Sequence, residues 1–124
     1  MGDTTSGARI EVRPTQPRDF GAIADLCRRV YPEDKPWTPQ QLGSHLRVFP
    51  DGQLVAIDTQ DDRVVGMCAS LIVQWDHYDM FDRWEDFTAD GMFTNHDPAG
   101  RTLYGAEVIV DPTLQGHGIG GKLY

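Results

Sequence analysis

"DPTLQGHGIGGKLY", residues Asp111 to Tyr124, is the stretch whose reading decides the fold. Three phosphate-binding patterns overlap in it. Gly116, Gly118 and Gly121 spell G-x-G-x-x-G, Gly116 with Gly121-Lys122 spells G-x-x-x-x-G-K, and Gln115, Gly118 and Gly120 spell Q-x-x-G-x-G. A P-loop needs a hydroxyl after its lysine to hold magnesium, and Leu123 stands there instead. A dinucleotide fingerprint follows the first strand of its unit and wants an acid about 20 residues downstream. Here the turn follows the fourth predicted strand, and the sequence ends at Tyr124. The third pattern fits its surroundings. Its glycines bare successive backbone N–H groups at a helix N-terminus, where donors and dipole suit a pyrophosphate. Larger side chains at Gly116, Gly118 or Gly120 would shield those amides, and His117 and Lys122 are close enough in sequence to add positive charge.

Outward from that turn, Thr102 to Asp111 is apolar and extended, and Pro112 stops it. Farther upstream, Ile10 to Arg13 alternates as a short strand does. Phe20, Ile23, Ala24, Cys27, Val30 and Tyr31 then recur at the spacing of one helical face, which Pro32 ends. Thr38-Pro39-Gln40-Gln41 predicts a second helix start, with Thr38 as cap and Gln41 closing the capping box. Pro50-Asp51-Gly52 is a turn. Gln53 to Asp58 and Arg63 to Val73 read as a hairpin, and Gly66 marks a bulge or a close backbone approach. Residues 74–101 break the rhythm: seven acids against two arginines leave −5, a short helix is expected over Phe81 to Phe87, and Thr94 to Gly100 is a turn.

The whole chain of 124 residues reads as one domain, with 40% apolar residues and room for a real core. Eleven basic against nineteen acidic residues give −8, which argues against a nucleic-acid footprint. No apolar run is long enough for a membrane span, and MGDTTSGAR lacks a signal-peptide core, so a soluble, cytoplasmic protein is expected. Cys27 and Cys68 have no metal-ligand spacing and read as buried free thiols.

Together these residues resemble the GNAT superfamily of N-acetyltransferases. "IEVRPTQPRDFGAIADLCRRVY" matches its first strand and helix, "QLVAIDTQDDRVVGMCASLIV" its hairpin, and "AEVIVDPTLQGHGIGGKLY" its cofactor-binding strand, turn and helix. "VYPEDKPWTPQQLGSHLRVFPDGQLVA" and "NHDPAGRTLYGAEVIVDP" also look like the acetyltransferase domain that some bacterial proteins carry ahead of a carbon-nitrogen hydrolase domain. The resemblance implies an α/β (α+β) fold with a mixed, mostly antiparallel sheet flanked by helices. The family's later strands and helix have no counterpart here, so the sequence reads as a truncated domain, with the general acid expected beyond Tyr124 and the fourth strand's edge open to self-association.

The resemblance also implies acetyl-CoA as co-substrate and an amine-bearing acceptor, small molecule or peptide. Val108, Ile109 and Val110 would pair with the extended pantetheine arm. Gln115, Gly116, His117, Gly118, Ile119, Gly120, Gly121 and Lys122 would cradle the phosphates, and a backbone amide near Val108 to Val110 would polarise the thioester carbonyl. Glu107 is the candidate base. A carboxylate in an apolar strand must face water, a partner or a site, and alternation alone leaves the choice open. Trp84, Phe87 and Phe93 are candidate walls of an acceptor pocket, against the alternative of an acidic loop with its aromatics tucked onto the sheet. His77 and His96 read as polar loop residues. No metal is expected. The competing function is a non-catalytic acyl-CoA-binding or regulatory module attached to another domain.

Overall fold

The computed structural model describes residues 10–78 and 82–114. The glycine turn, Gln115 to Lys122, therefore lies outside the described residues, as does Phe81. What is described is a four-stranded antiparallel sheet in the order β1-β2-β3-β4, built from Ile10–Pro14, Gln53–Asp58, Arg63–Val73 and Thr102–Val110. Helices α1 (Phe20–Val30) and α2 (Pro39–Val48) join β1 to β2, and a short helix α3 (Trp84–Thr88) sits in the connection from β3 to β4. The antiparallel sheet flanked by helices has the expected fold class. No helix among the described residues is long and apolar enough to cross a membrane.

Local chemistry sets most boundaries. Thr38 Oγ1 accepts the Gln41 amide at 3.1 Å and Gln41 Oε1 accepts the Thr38 amide at 3.1 Å, the reciprocal capping box read from the sequence. On α1 the buried residues are Ile23, Leu26 and Cys27, so Leu26 belongs to the stripe that the sequence reading gave partly to Tyr31. Tyr31 has left the helix, with φ −131° and ψ 74°, and turns outward. Helix α3 begins at Trp84, three residues later than expected.

Both faces of the sheet are apolar. One, under α1, α2 and the 74–101 segment, gathers Val55, Ile57, Met67, Leu71, Val73 and Ile109 with Ile23, Leu26 and Phe93. The other gathers Ala56, Val65 and Cys68 with Val108 and Val110 packed beside them. Between β2 and β3 the register moves from Ala56↔Gly66 to Ile57↔Val64, so Val65 is an extra residue beside the glycine that predicted a bulge. Cys27 and Cys68 are buried free thiols.

Entry into α1 is fixed by one ion pair. Arg13 donates two hydrogen bonds of 2.8 Å to the Asp19 carboxylate, and the Gln16 amide adds a third. Burial pushes the Asp19 carboxyl up, but Arg13 and the Gln16 amide outweigh it and hold it below the ordinary aspartate value. With the folded pKa depressed, this stabilisation is present above the unfolded aspartate value and is lost as pH falls through the folded one. Asp19→Asn is expected to cost about 3 kcal/mol at pH 7, because it leaves a part-buried guanidinium without its anion. Urea midpoints of parent and variant should converge in acid; a constant gap down to pH 2 would refute the ion-pair account.

Candidate active site

The site starts from a defect in β4. Along β3 and β4 the register runs Met67↔Ile109, Cys68↔Val108 and Ala69↔Glu107, then resumes at Ser70↔Gly105. Ala106 is the extra residue. In a regular strand, positions three apart point to opposite faces. The bulge removes that offset, so Glu107, opposite Ala69, shares the helix-covered face with Tyr104, opposite Leu71. Without it, the carboxylate and Tyr104 would stand on opposite sides of the sheet.

Glu107 thereby reaches an open cavity of about 500 Å³. Its walls come from the end of α1 (Cys27), from the segment Tyr31 to Thr38, from Gln41 on α2 and from Trp84 on α3. Pro32 and Pro36 bracket that segment, which the sequence reading treated only as a helix connector. Burial, and then the negative charge of Asp34, raise the Glu107 carboxyl above the ordinary glutamate value. Burial likewise raises the Cys27 thiol, with Glu107 adding to the effect and the Trp37 backbone opposing it, so Cys27 stays neutral. Trp84 stands against Trp37 with ring centroids 5.8 Å apart, and its indole N–H donates to the Ala106 carbonyl at 3.1 Å. A half-buried carboxylate with a raised pKa, in a cavity walled by aromatic rings, is more basic than an exposed glutamate and can accept a proton from a bound cation.

A family model for the Acetyltransferase (GNAT) family matches residues 20–124. The chain belongs to that family. It is 38% identical over 116 residues to "Probable hydrolase YhcX" of Bacillus subtilis, covering 94% of this chain and 22% of that protein. It is 36% identical over 90 residues to "Uncharacterized N-acetyltransferase YkwB" of the same organism, covering 73% of this chain and 39% of that one. Among solved structures, the GNAT-like decarboxylase GphF, in complex with isobutyryl-CoA, superposes with a TM-score of 0.69 at 20% identity, over 91% of this chain and 54% of that one. At that identity the likeness is one of fold. The chain thus spans well under half the length of these curated relatives and about half of the solved one.

Within this GNAT domain, the other residues singled out by sequence are distributed as follows. Val108 and Val110 pack on the sheet face away from the helices, while Ile109 is buried under them. β4 is the last strand in the described sheet. At its end Asp111 is buried, accepts the Thr113 amide and hydroxyl at 2.9 and 2.7 Å, and pairs with Arg29 at 3.1 Å. Burial pushes the Asp111 carboxyl up, but Thr113, Arg29 and Arg63 hold it below the ordinary value. This clamp fixes the chain as it leaves β4 at Asp111 to Thr113.

Of the three candidate pocket walls only Trp84 lines the cavity. Phe93 is fully buried against His45, with ring centroids 3.6 Å apart, and Phe87 stacks on Trp75, Tyr78 and Tyr104. Apart from Trp84, the alternative of aromatics tucked onto the sheet is what the structure has. His77 is exposed. His96 accepts the Ile72 amide at 2.9 Å through Nδ1 and stacks on Phe49, a structural role. Sequence reasoning missed Tyr31, Asp34 and Trp37 as cavity residues; the aromatic and acidic run YPEDKPW, 31–37, was the available signal.

Proposed function

We propose that this domain transfers an acetyl group from acetyl-CoA to an amine acceptor. The observation that carries the reading is Glu107, half-buried at the bulge of the last described strand, with its pKa raised and its carboxylate lining an aromatic-walled cavity. Glu107 takes the proton of the bound ammonium, directly or through a water. The neutral nitrogen then attacks the thioester carbonyl, a C–N bond forms, the C–S bond breaks, and the departing thiolate takes up a proton. Val108, Ile109 and Val110 offer backbone groups for strand-like pairing with the pantetheine arm, which raises the effective concentration of the thioester at Glu107. The residues Gln115 to Lys122 hold the pyrophosphate. GphF, as a solved complex with isobutyryl-CoA, and YkwB, as an N-acetyltransferase by name, support the choice of co-substrate and acceptor.

The test is release of free CoA thiol from acetyl-CoA with a panel of alkyl, aralkyl and peptide amines, run beside S-acetylpantetheine, which lacks the pyrophosphate. Thiol release that depends on the amine, with at least a tenfold preference for acetyl-CoA, is expected; equal use of both donors would remove the phosphate-binding role of the glycine turn. The match of 94% of this chain to only 22% of a probable hydrolase favours a second reading, an acyl-CoA-binding module attached to a hydrolase domain. Tight acetyl-CoA binding with no thiol release for any amine would select it.

A further inference from the structure

We infer that the Trp84 indole N–H is a positioning device for the acid-base site: it pins the β4 bulge and so keeps the Glu107 carboxylate on the cavity side of the sheet. This rests on the function proposed above for Glu107.

A bulge leaves its extra residue outside the ladder, and a carbonyl so freed must find another donor or water. For Ala106 that donor is Trp84 Nε1, at 3.1 Å. The donor is itself held in place. Trp84 opens α3, its carbonyl accepts the Thr88 hydroxyl at 2.8 Å, and the same hydroxyl accepts the Gly91 amide at 3.0 Å. One turn on, Phe87 lies nearly parallel to Tyr104 at 5.1 Å, so α3 grips β4 at the bulge and two residues before it. The connection between β3 and β4 is therefore more than a wall. Through two contacts it fixes the register of the strand that carries Glu107. Should the bulge relax by one residue, Glu107 would turn to the other face, because side-chain direction has a period of two.

Trp84→Phe keeps a ring against Trp37 and deletes the donor; replacement of Trp84 by benzothienylalanine deletes the N–H while keeping the bicyclic shape. In both, kcat is expected to fall about fivefold to tenfold, the range set by one hydrogen bond, with KM changed less than about twofold. The distinguishing readout is the Glu107 titration, followed by ¹³C NMR in side-chain-labelled protein and assigned with Glu107→Gln. The groups facing Glu107 are Cys27 from α1 and Tyr31, Asp34 and Lys35 from the segment after it, and none is altered by either substitution. The Glu107 midpoint should move down toward the ordinary carboxylate value as the side chain gains water. An unchanged midpoint in the benzothienylalanine protein overturns the inference, whatever happens to rate or stability. If no amine is acetylated by the parent, the proposed function fails, but the NMR midpoint still decides whether Trp84 positions Glu107.

Discussion

Glu107→Gln is expected to lower kcat/KM for acetyl transfer to an amine by about 10² to 10⁴ at pH 7, the range of a positioned general base. The substitution keeps size and hydrogen-bonding reach at the β4 bulge and removes only the basic oxygen. In the parent, rate should rise with pH through the raised Glu107 value, since the ionised carboxylate is the active form and burial and Asp34 both oppose ionisation. In the variant that ascending limb should vanish. Folding should not suffer. A glutamate whose folded pKa lies above its unfolded one destabilises the folded state increasingly as pH rises past the unfolded value. A neutral amide relieves that cost, so the variant should unfold at no lower urea concentration than the parent at pH 7. Equal kcat/KM in parent and variant would remove Glu107 from the chemistry.

The second large effect is on stability. Phe93→Ala should cost about 3 to 5 kcal/mol, the usual range for emptying a fully buried phenylalanine site. Phe93 has no exposed surface, stacks on His45 and meets Trp37 edge-on at 6.0 Å. It enters the core from a backbone at φ 62°, just after Ala89, Asp90 and Gly91, all with positive φ. Helix α2 holds that strained run: Ser44 donates to the Met92 carbonyl and His45 Nε2 to the Gly91 carbonyl, both at 2.6 Å. Burial pushes His45 down to about 4 despite its bond to Gly91, so at pH 7 the ring is neutral and its single proton serves that contact. The check is a urea melt, with His77→Ala as control, since His77 is exposed. A fall in midpoint at unchanged slope is expected for Phe93→Ala alone; matching midpoints would mean that the 74–101 segment is not anchored through this ring.

Much of this architecture was legible because it is written in local chemistry. Gln53–Asp58 and Arg63–Val73 stand between strong turn signals, Thr38 and Gln41 cap α2 by short-range bonds, and of the two readings of Gly66, a bulge or a close backbone approach, the register shift beside it selects the bulge. The face of Glu107 was not legible. Alternation counted forward from Tyr104 puts it on one side of the sheet, and counted back from Ile109 on the other; the extra residue at Ala106 decides. Gly105-Ala106 was the local hint, of the same kind as Gly66, yet a small pair in an apolar strand signals no bulge by itself. The cavity was hidden for a different reason. Tyr31, Asp34 and Trp37 meet Glu107 only through tertiary packing, across 70 to 76 positions of sequence. In the 74–101 segment composition suggested an acidic loop with its aromatics tucked onto the sheet, and burial of Phe87, Thr88 and Phe93 agrees with that reading, while which ring would face the cavity could not be told.

Trp37 belongs at once to the cavity wall and to the buried cluster with His45 and Phe93, whereas Tyr31 and Trp84 are 43% and 37% exposed. Divergence in the shape of this cavity among descendants of this sequence is therefore channelled. Drift at Tyr31 reshapes the mouth while leaving the fold intact, but Trp84 is tied to the β4 bulge through its indole N–H, and any change at Trp37 must be accompanied by repacking of its partners, which makes that position the conservative floor of the pocket.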